Sequence, residues 1–186
     1  MPFARAEFRA RAGQRRLFGP RLLGVNLGRI GFLTEITPAA LFDQLDAILE
    51  GAGRVETRAM IHTEHIRAGE EIGNRFHALN DVVVGRAAIG RTVQFTVETD
   101  GTTIGGYRAD GVIIATATGS TAYSLSVGGP ILHPESRELL VTPVAPHLAP
   151  ANSLVLPAGS CVDVRIASGQ RAIVSVDGEP DMDLGG

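Results

Sequence analysis

The sequence predicts a β-rich α+β fold built from more than one sheet, and three observations lead there. Short apolar or alternating runs recur between residues 54 and 176, bounded by Gly, Asp, Asn or Pro, which is the spacing of a sandwich or related multi-sheet fold. Val, Ile, Ala and Gly are plentiful while aromatic residues make up 5% and Trp is absent, a composition that suits a sheet core. One long segment, residues 38–50, carries helical periodicity.

At 186 residues, 44% hydrophobic and 20% charged, the chain has the length and composition of one globular domain, or one domain and a piece of another. A net charge of −3 gives no sign of a nucleic-acid or anionic-membrane partner. No run approaches the roughly 18 apolar residues of a membrane span, and the first residues lack a signal-peptide core. The expected setting is the cytoplasm. Cys161 is the sole cysteine, so disulfides and cysteine-based zinc sites within one chain are excluded. All 17 basic residues are arginine. This removes a Walker-type lysine, Schiff-base chemistry and a lysine general base.

In chain order, residues 1–21 are Arg/Ala-rich with six arginines and no clean apolar period, and read as a basic tail or short surface helix. Leu22 to Asn26 is a short strand that breaks into a loop with Gly24, Gly28 and Gly31. Thr37-Pro38 supplies an N-cap and first helical residue. Leu41, Phe42, Leu45, Ile48 and Leu49 recur at helical spacing behind it, and Gly51 and Gly53 stop the helix. Strands follow at residues 55–66, 78–84 and 92–98. Asp100-Gly101 turns a hairpin into 102–107, and further strands fall at 112–116, 139–142, 153–156, 162–166 and 172–176.

The chemistry concentrates in ADGVIIATATGSTAYSLSVGGP, residues 109–130. An apolar run ending in a small, hydroxyl-rich turn presents N–H groups and hydroxyls to a polar ligand, and Gly128-Gly129-Pro130 closes the helix or turn that follows. Asn80 and Asp81 interrupt an apolar strand. Being adjacent, they point to opposite faces, and burying either unpaired costs several kcal/mol. The bland alternative for this pair is a bulge or strand end with local hydrogen bonds. Arg108 and Asp110 read as a turn with a weak surface ion pair. His62 and His65 are three apart on a strand and so on opposite faces, which is wrong for a shared metal. His133 and His147 lie beside prolines without metal partners. Asp177-Gly178-Glu179 reads as a turn, and Asp181 and Asp183 as a solvated tail. Gly119-Ser120 lacks the Gly-x-Ser-x-Gly elbow of a serine hydrolase, which leaves that class a minor alternative. The Gly24–Gly31 loop lacks the Rossmann fingerprint.

Three segments, GVNLGRIGFLTEI (24–36), ALNDVV (78–83) and ADGVIIATATGSTAYSLSVGGP (109–130), occur in this order and together resemble bacterial NAD kinases. Those enzymes phosphorylate the adenosine-ribose 2′-hydroxyl of NAD. The resemblance covers about residues 22–180, and its third segment is highly specific. It implies that 22–37 is a remnant of an N-terminal Rossmann-like α/β domain and 38–186 a β-rich NAD-binding domain, cut short at its C-terminus.

The resemblance also implies that Asn80 and Asp81 hold a ribose. Thr121, Ala122, Tyr123, Ser124, Leu125 and Ser126 would receive NAD, with the Tyr123 ring on the base. Arg108 and Asp110 would face a ligand, in the family often across a subunit interface, and Arg91, Ala145 and Glu179 match weaker positions. It implies ATP (or polyphosphate) as donor, Mg²⁺ on the phosphates, and a homodimer or homotetramer. At Ala117 the family usually has proline. Its Gly-Gly-Asp-Gly-Thr motif, which carries the general-base aspartate, is not found before GVNLGRIGF, so no residue here matches the catalytic base. The expectation is an impaired kinase. The alternatives are a catalytically silent NAD(P)-binding module or a gene fragment whose first residues come from a late or frameshifted start.

Overall fold

The computed structural model describes residues 6–13, 22–27, 34, 36–67, 70–71, 75–88, 90–148 and 152–184. The chain divides into two compact units, residues 15–57 and residues 1–14 with 58–186. Helix α1 falls in the unit of residues 15–57. The Gly28–Gly31 part of the first loop lies outside the described residues.

In the smaller unit, Val25 and Ile36 form a parallel bridge. Helix α1 (Pro38–Leu49) starts where its sequence says it should. Thr37 is its N-cap, its hydroxyl accepting from the Ala40 N–H at 3.4 Å, and Pro38 occupies the first turn. It ends on Gly51 at φ +95°, with Ala52 N–H donating to Ala47 O and Gly51 N–H to Ile48 O, a Schellman closure.

The larger unit holds thirteen strands among the described residues. They are β1 (Ala6–Gly13), β2 (Met60–Arg67), β3 (Glu70–Glu71), β4 (Phe76–Ala78), β5 (Asp81–Arg86), β6 (Val93–Thr99), β7 (Thr102–Ala109), β8 (Gly111–Ala115), β9 (Leu139–Val144), β10 (Leu154–Leu156), β11 (Cys161–Ile166), β12 (Ala172–Val176) and β13 (Glu179–Leu184). A 3₁₀ turn (Gly119–Thr121) and helix α2 (Tyr123–Ser126) follow β8. One sheet runs β3-β2-β1-β11-β6-β7 with β4 also on β2, and the other runs β10-β9-β8-β5-β12-β13. Every pairing between these strands is antiparallel.

The core draws on both sheets. Ala10, Ile61, Val97 and Val164 of the first cluster with Val82, Val84, Val112, Ile114 and Val174 of the second. Residues Ile113, Ala115 and Leu140 form a separate buried cluster on the second sheet's other face, packed with Val127 and Leu132. Buried on both faces, β8 reads as an unbroken apolar run and not as an alternating one.

Two expectations are corrected here. Residues 6–13 are not a tail or a helix: β1 lies between β2 and β11, and Arg9 Nε reaches Asp163 Oδ1 at 2.6 Å. Arginine spacing hid an alternating strand whose charge is neutralised by a cross-strand partner. Residues 179–184 are likewise not a tail but strand β13, which continues the β12 hairpin through Asp177-Gly178. Asp177 and Gly178 have φ of +49° and +86°, as Asp100 and Gly101 have +48° and +80° in the β6–β7 hairpin. Paired positive φ values give the turn whose twist matches antiparallel strands.

The apolar run at residues 78–84 also splits. β4 belongs to the first sheet and β5 to the second, so the chain crosses between sheets at Leu79-Asn80. The β7–β8 connection makes a second crossing at Asp110. Both polar motifs that interrupt apolar sequence stand at these corners, where the ladders end and side chains are released.

Candidate functional site

The Asn80–Asp81 corner is built from three segments distant in sequence. Asn80 O accepts from Thr116 N–H at 2.9 Å, and Thr116 Oγ1 donates to Leu79 O at 2.6 Å while accepting from Gly119 N–H at 3.1 Å. Gly119 packs directly on the corner: a Cβ there would fall 1.9 Å from Asn80 O. From the other side comes Asp177. Its carboxylate accepts from the N–H groups of Leu79 (2.8 Å), Asn80 (2.8 Å) and Asp81 (3.1 Å), and its own N–H donates to Asp81 O at 3.0 Å.

Asp81 itself is buried, 5% exposed. Its carboxyl is pushed up to about 6, chiefly by burial and secondarily by the neighbouring Asp177 charge. Near neutral pH it is an ionised acceptor held in a poorly solvated place, ready for a donor such as a sugar hydroxyl.

The hydroxyl-rich segment sorts into two groups. Ser120 is fully buried, donating to Ala117 O at 2.6 Å and accepting from Leu132 N–H at 3.0 Å, so it is framework and not a nucleophile. Ser124 is also fully buried, in a chain in which Ser124 Oγ and Thr142 Oγ1 lie 3.2 Å apart and Thr142 donates to Ser153 Oγ at 2.9 Å. Its hydroxyl is engaged beneath α2 by Thr142. Thr121 and Ala122 are partly exposed, and Tyr123, Leu125 and Ser126 exposed. Tyr123 is 44% exposed. Helix α2 closes at Gly128 (φ +88°), with Gly129 N–H donating to Ser124 O at 2.8 Å, as Gly128-Gly129 foretold.

Arg108 and Asp110 lie at the other end of β8, Arg91 just precedes β6 and Ala145 just follows β9. Arg108 Nε donates to Thr92 Oγ1 at 3.0 Å, Asp110 pairs with Arg86 at 3.4 Å, and Asp110 N–H donates to Val144 O at 2.9 Å. The expected Arg108–Asp110 pair is thus replaced by two other partnerships, because neighbouring residues at the end of β7 diverge as the chain turns into the second sheet. Gly111 and Ala115 are the two ends of β8, and Ala115 registers with Asp81. The two clusters therefore stand at opposite ends of one strand, about 13 Å apart at 3.3 Å per residue. Glu179 is exposed, two residues after the clamping Asp177.

A hollow of about 570 Å³ lined by Gln94, Thr96, Arg108, His147 and Arg165 includes Arg108 but none of Asn80, Asp81 or Tyr123. His62 packs its ring against His77 at 4.8 Å, and among the described residues no group of three or more His, Cys, Asp or Glu could hold a metal. No helix among them is long and apolar enough to cross a membrane.

Sequence reasoning passed over Asp177 as a turn residue. Nothing local marks an Asp-Gly turn whose carboxylate serves a backbone 96–98 positions away.

Residues 79–185, the span containing both corner segments and the clamping turn, match the family model described as ATP-NAD kinase C-terminal domain. The chain belongs to the NAD kinase family. It is 37% identical over 163 residues to an NAD kinase of Dehalococcoides mccartyi, covering 88% of this chain and 57% of that protein. It is 45% identical over 163 residues to an NAD kinase of Heliobacterium modesticaldum, with 87% and 57% covered. The chain thus spans a little over half the length of these relatives. Among solved structures, yeast NADH kinase complexed with NADH superposes with a TM-score of 0.82 at 30% identity, covering 90% of this chain and 49% of that one. The NAD kinase of Archaeoglobus fulgidus in complex with ATP shares the fold, with a TM-score of 0.61 at 24% identity over 87% and 67% of the two chains.

Proposed function

We propose that this protein binds NAD at the Asn80–Asp81 corner and serves phosphoryl transfer from ATP to the adenosine-ribose 2′-hydroxyl, giving NADP. One observation carries the reading. Two polar residues in an apolar sequence are held against a glycine-packed hydroxyl turn at the end of β8, and the exposed Tyr123 follows that turn in sequence. In this reading Asn80 and Asp81 take ribose hydroxyls. Tyr123 offers its ring to a base, a contact worth about 1–3 kcal/mol in nucleic-acid systems. Thr121, Ala122, Leu125, Ser126 and Glu179 line the approach.

Phosphoryl transfer depends on placing donor and acceptor in line and neutralising the phosphates, and it needs no covalent intermediate on the protein. This chain's described residues supply the acceptor side of that placement. Mg²⁺, expected from the resemblance, would accompany the ATP phosphates, and no step is assigned to it. Arg108 and Asp110 match positions that in the family often face a ligand across a subunit interface, which fits a homodimer or homotetramer, and Arg91 and Ala145 match weaker positions of the site. The cytoplasm is the compartment this chemistry fits.

Calorimetric titration with NAD, run beside a coupled assay of NADP formation with ATP and Mg²⁺, tests the reading. Saturable NAD binding is expected, and its absence refutes the site. Binding without turnover would support the silent NAD-binding module.

A further inference from the structure

We infer that Asp177 is the positioning residue of the Asn80–Asp81 site, acting on the backbone of the pair and not on the ligand. The inference rests on the NAD reading for the identity of the ligand alone. The chain leaves one sheet at Ala78 and enters the other at Asp81. At that crossing the N–H groups of Leu79, Asn80 and Asp81 point to the Asp177 carboxylate, at 2.8, 2.8 and 3.1 Å. The carboxylate stands where a neighbouring strand's carbonyls would be. The return bond from Asp177 N–H to Asp81 O, 3.0 Å, fixes the turn to the corner in both directions.

The choice of aspartate is informative. The turn needs a residue tolerant of φ +49°, and asparagine meets that need as well as aspartate does. Asparagine would also spare Asp81 a like-charged neighbour. It would fail at the corner, however, because three donors converge on both oxygens and the amide NH₂ cannot accept. A negative charge beside Asp81 is retained where a neutral residue would serve the turn. What it secures is the bend that aims Asn80 and Asp81.

The contrasting case is Asp100, in the same position of the β6–β7 hairpin, whose Oδ1 accepts from a single N–H, that of Cys161, at 3.0 Å. The test uses the ¹⁵N-labelled full chain and its Asp177→Asn and Asp100→Asn variants. Amide exchange and NAD affinity are measured on each. For Asp177→Asn the expected result is exchange at residues 79–81 at least ~10-fold faster, and NAD affinity weakened ~10-fold or more. For Asp100→Asn neither changes.

Unchanged exchange at 79–81 in Asp177→Asn overturns the inference. So does faster exchange with unaltered NAD affinity. A wild-type chain that binds no NAD refutes the function proposed above instead, and the exchange result then decides this inference by itself. Should Asp177→Asn fail to fold, amide exchange on the wild-type chain replaces it. Protection of Leu79, Asn80 and Asp81 comparable to that of β5 supports the clamp, and freely exchanging amides there overturn it.

Discussion

Replacing Gly119 by alanine adds one methyl group at the most tightly packed point of the site. That methyl would meet Asn80 O at 1.9 Å and Asn80 Cα at 2.9 Å, whereas real contacts of this kind stay above 3.0 Å. The Asn80 carbonyl and the 116–119 turn must therefore separate by more than 1 Å. Backbone lies on both sides, so no rotamer change relieves the clash. Overpacking of this sort costs about 1–3 kcal/mol. The separation also strains the bonds from Thr116 N–H to Asn80 O and from Thr116 Oγ1 to Leu79 O, each worth about 0.5–1.5 kcal/mol net. A total near 3 kcal/mol is expected, which for a protein of this size lowers Tm by about 6–12 °C. Because the strain falls on Asn80, NAD affinity should drop as well. Differential scanning fluorimetry and NAD titration measure the two effects. A Gly119→Ala protein that melts within 1 °C of the parent and binds NAD equally would refute both the packing argument and the placement of the site.

Asp81, with its carboxyl raised from 3.8 to about 6, binds its proton more tightly folded than unfolded. It therefore favours the folded state most below pH 4, and that advantage is lost as pH rises through 6. Asp81→Asn should flatten the pH 4–6 slope in urea-melt stability and raise stability at pH 7, while weakening NAD. In the parent, NAD affinity should fall as pH drops below 6, since a protonated carboxyl loses an acceptor site; a flat profile would count against Asp81 as the ribose acceptor. Tyr123→Ala should cost NAD affinity roughly tenfold, within the range of a stacking contact, with Tm nearly unchanged because the ring is exposed. Thr142→Val should do the reverse, lowering Tm because Ser124 and Ser153 lose their shared partner, by about 1–3 kcal/mol in chemical denaturation. Arg9→Ala leaves the buried Asp163 without its 2.6 Å partner and should destabilise by about 1–3 kcal/mol. No measurable loss would contradict the placement of β1 inside the sheet.

The elements that sequence reading placed well are those whose signals are local. Thr37-Pro38 and Gly51 bracket α1, Asp100-Gly101 turns its hairpin, and Gly128-Gly129 closes α2, each because a backbone angle or cap selects the residue. The site was legible as composition: Asn80 and Asp81 are conspicuous inside apolar sequence, and the run 109–130 concentrates hydroxyls. What stayed hidden is long-range. Nothing near Ser124 announces its contact with Thr142, and Asp177 looks like a turn until its carboxylate is traced to Leu79. The β1 strand was obscured because arginine composition outweighed an alternation that only Asp163, about 150 residues on, makes sense of.

The interior position of β1 has a consequence for how the chain assembles. Its neighbours in the sheet are residues 60–67 and 161–166, so the segment between β1 and β2 interrupts one pairing, and the other edge of β1 waits for a strand about 150 residues further along. During synthesis a ribosome would release β1 with that edge open until residue 166 has emerged. Pairings this distant in sequence slow folding, because the loop must close before contact rewards it. The open edge of β1 is then the place where a nascent chain would meet another copy of itself or a holding chaperone.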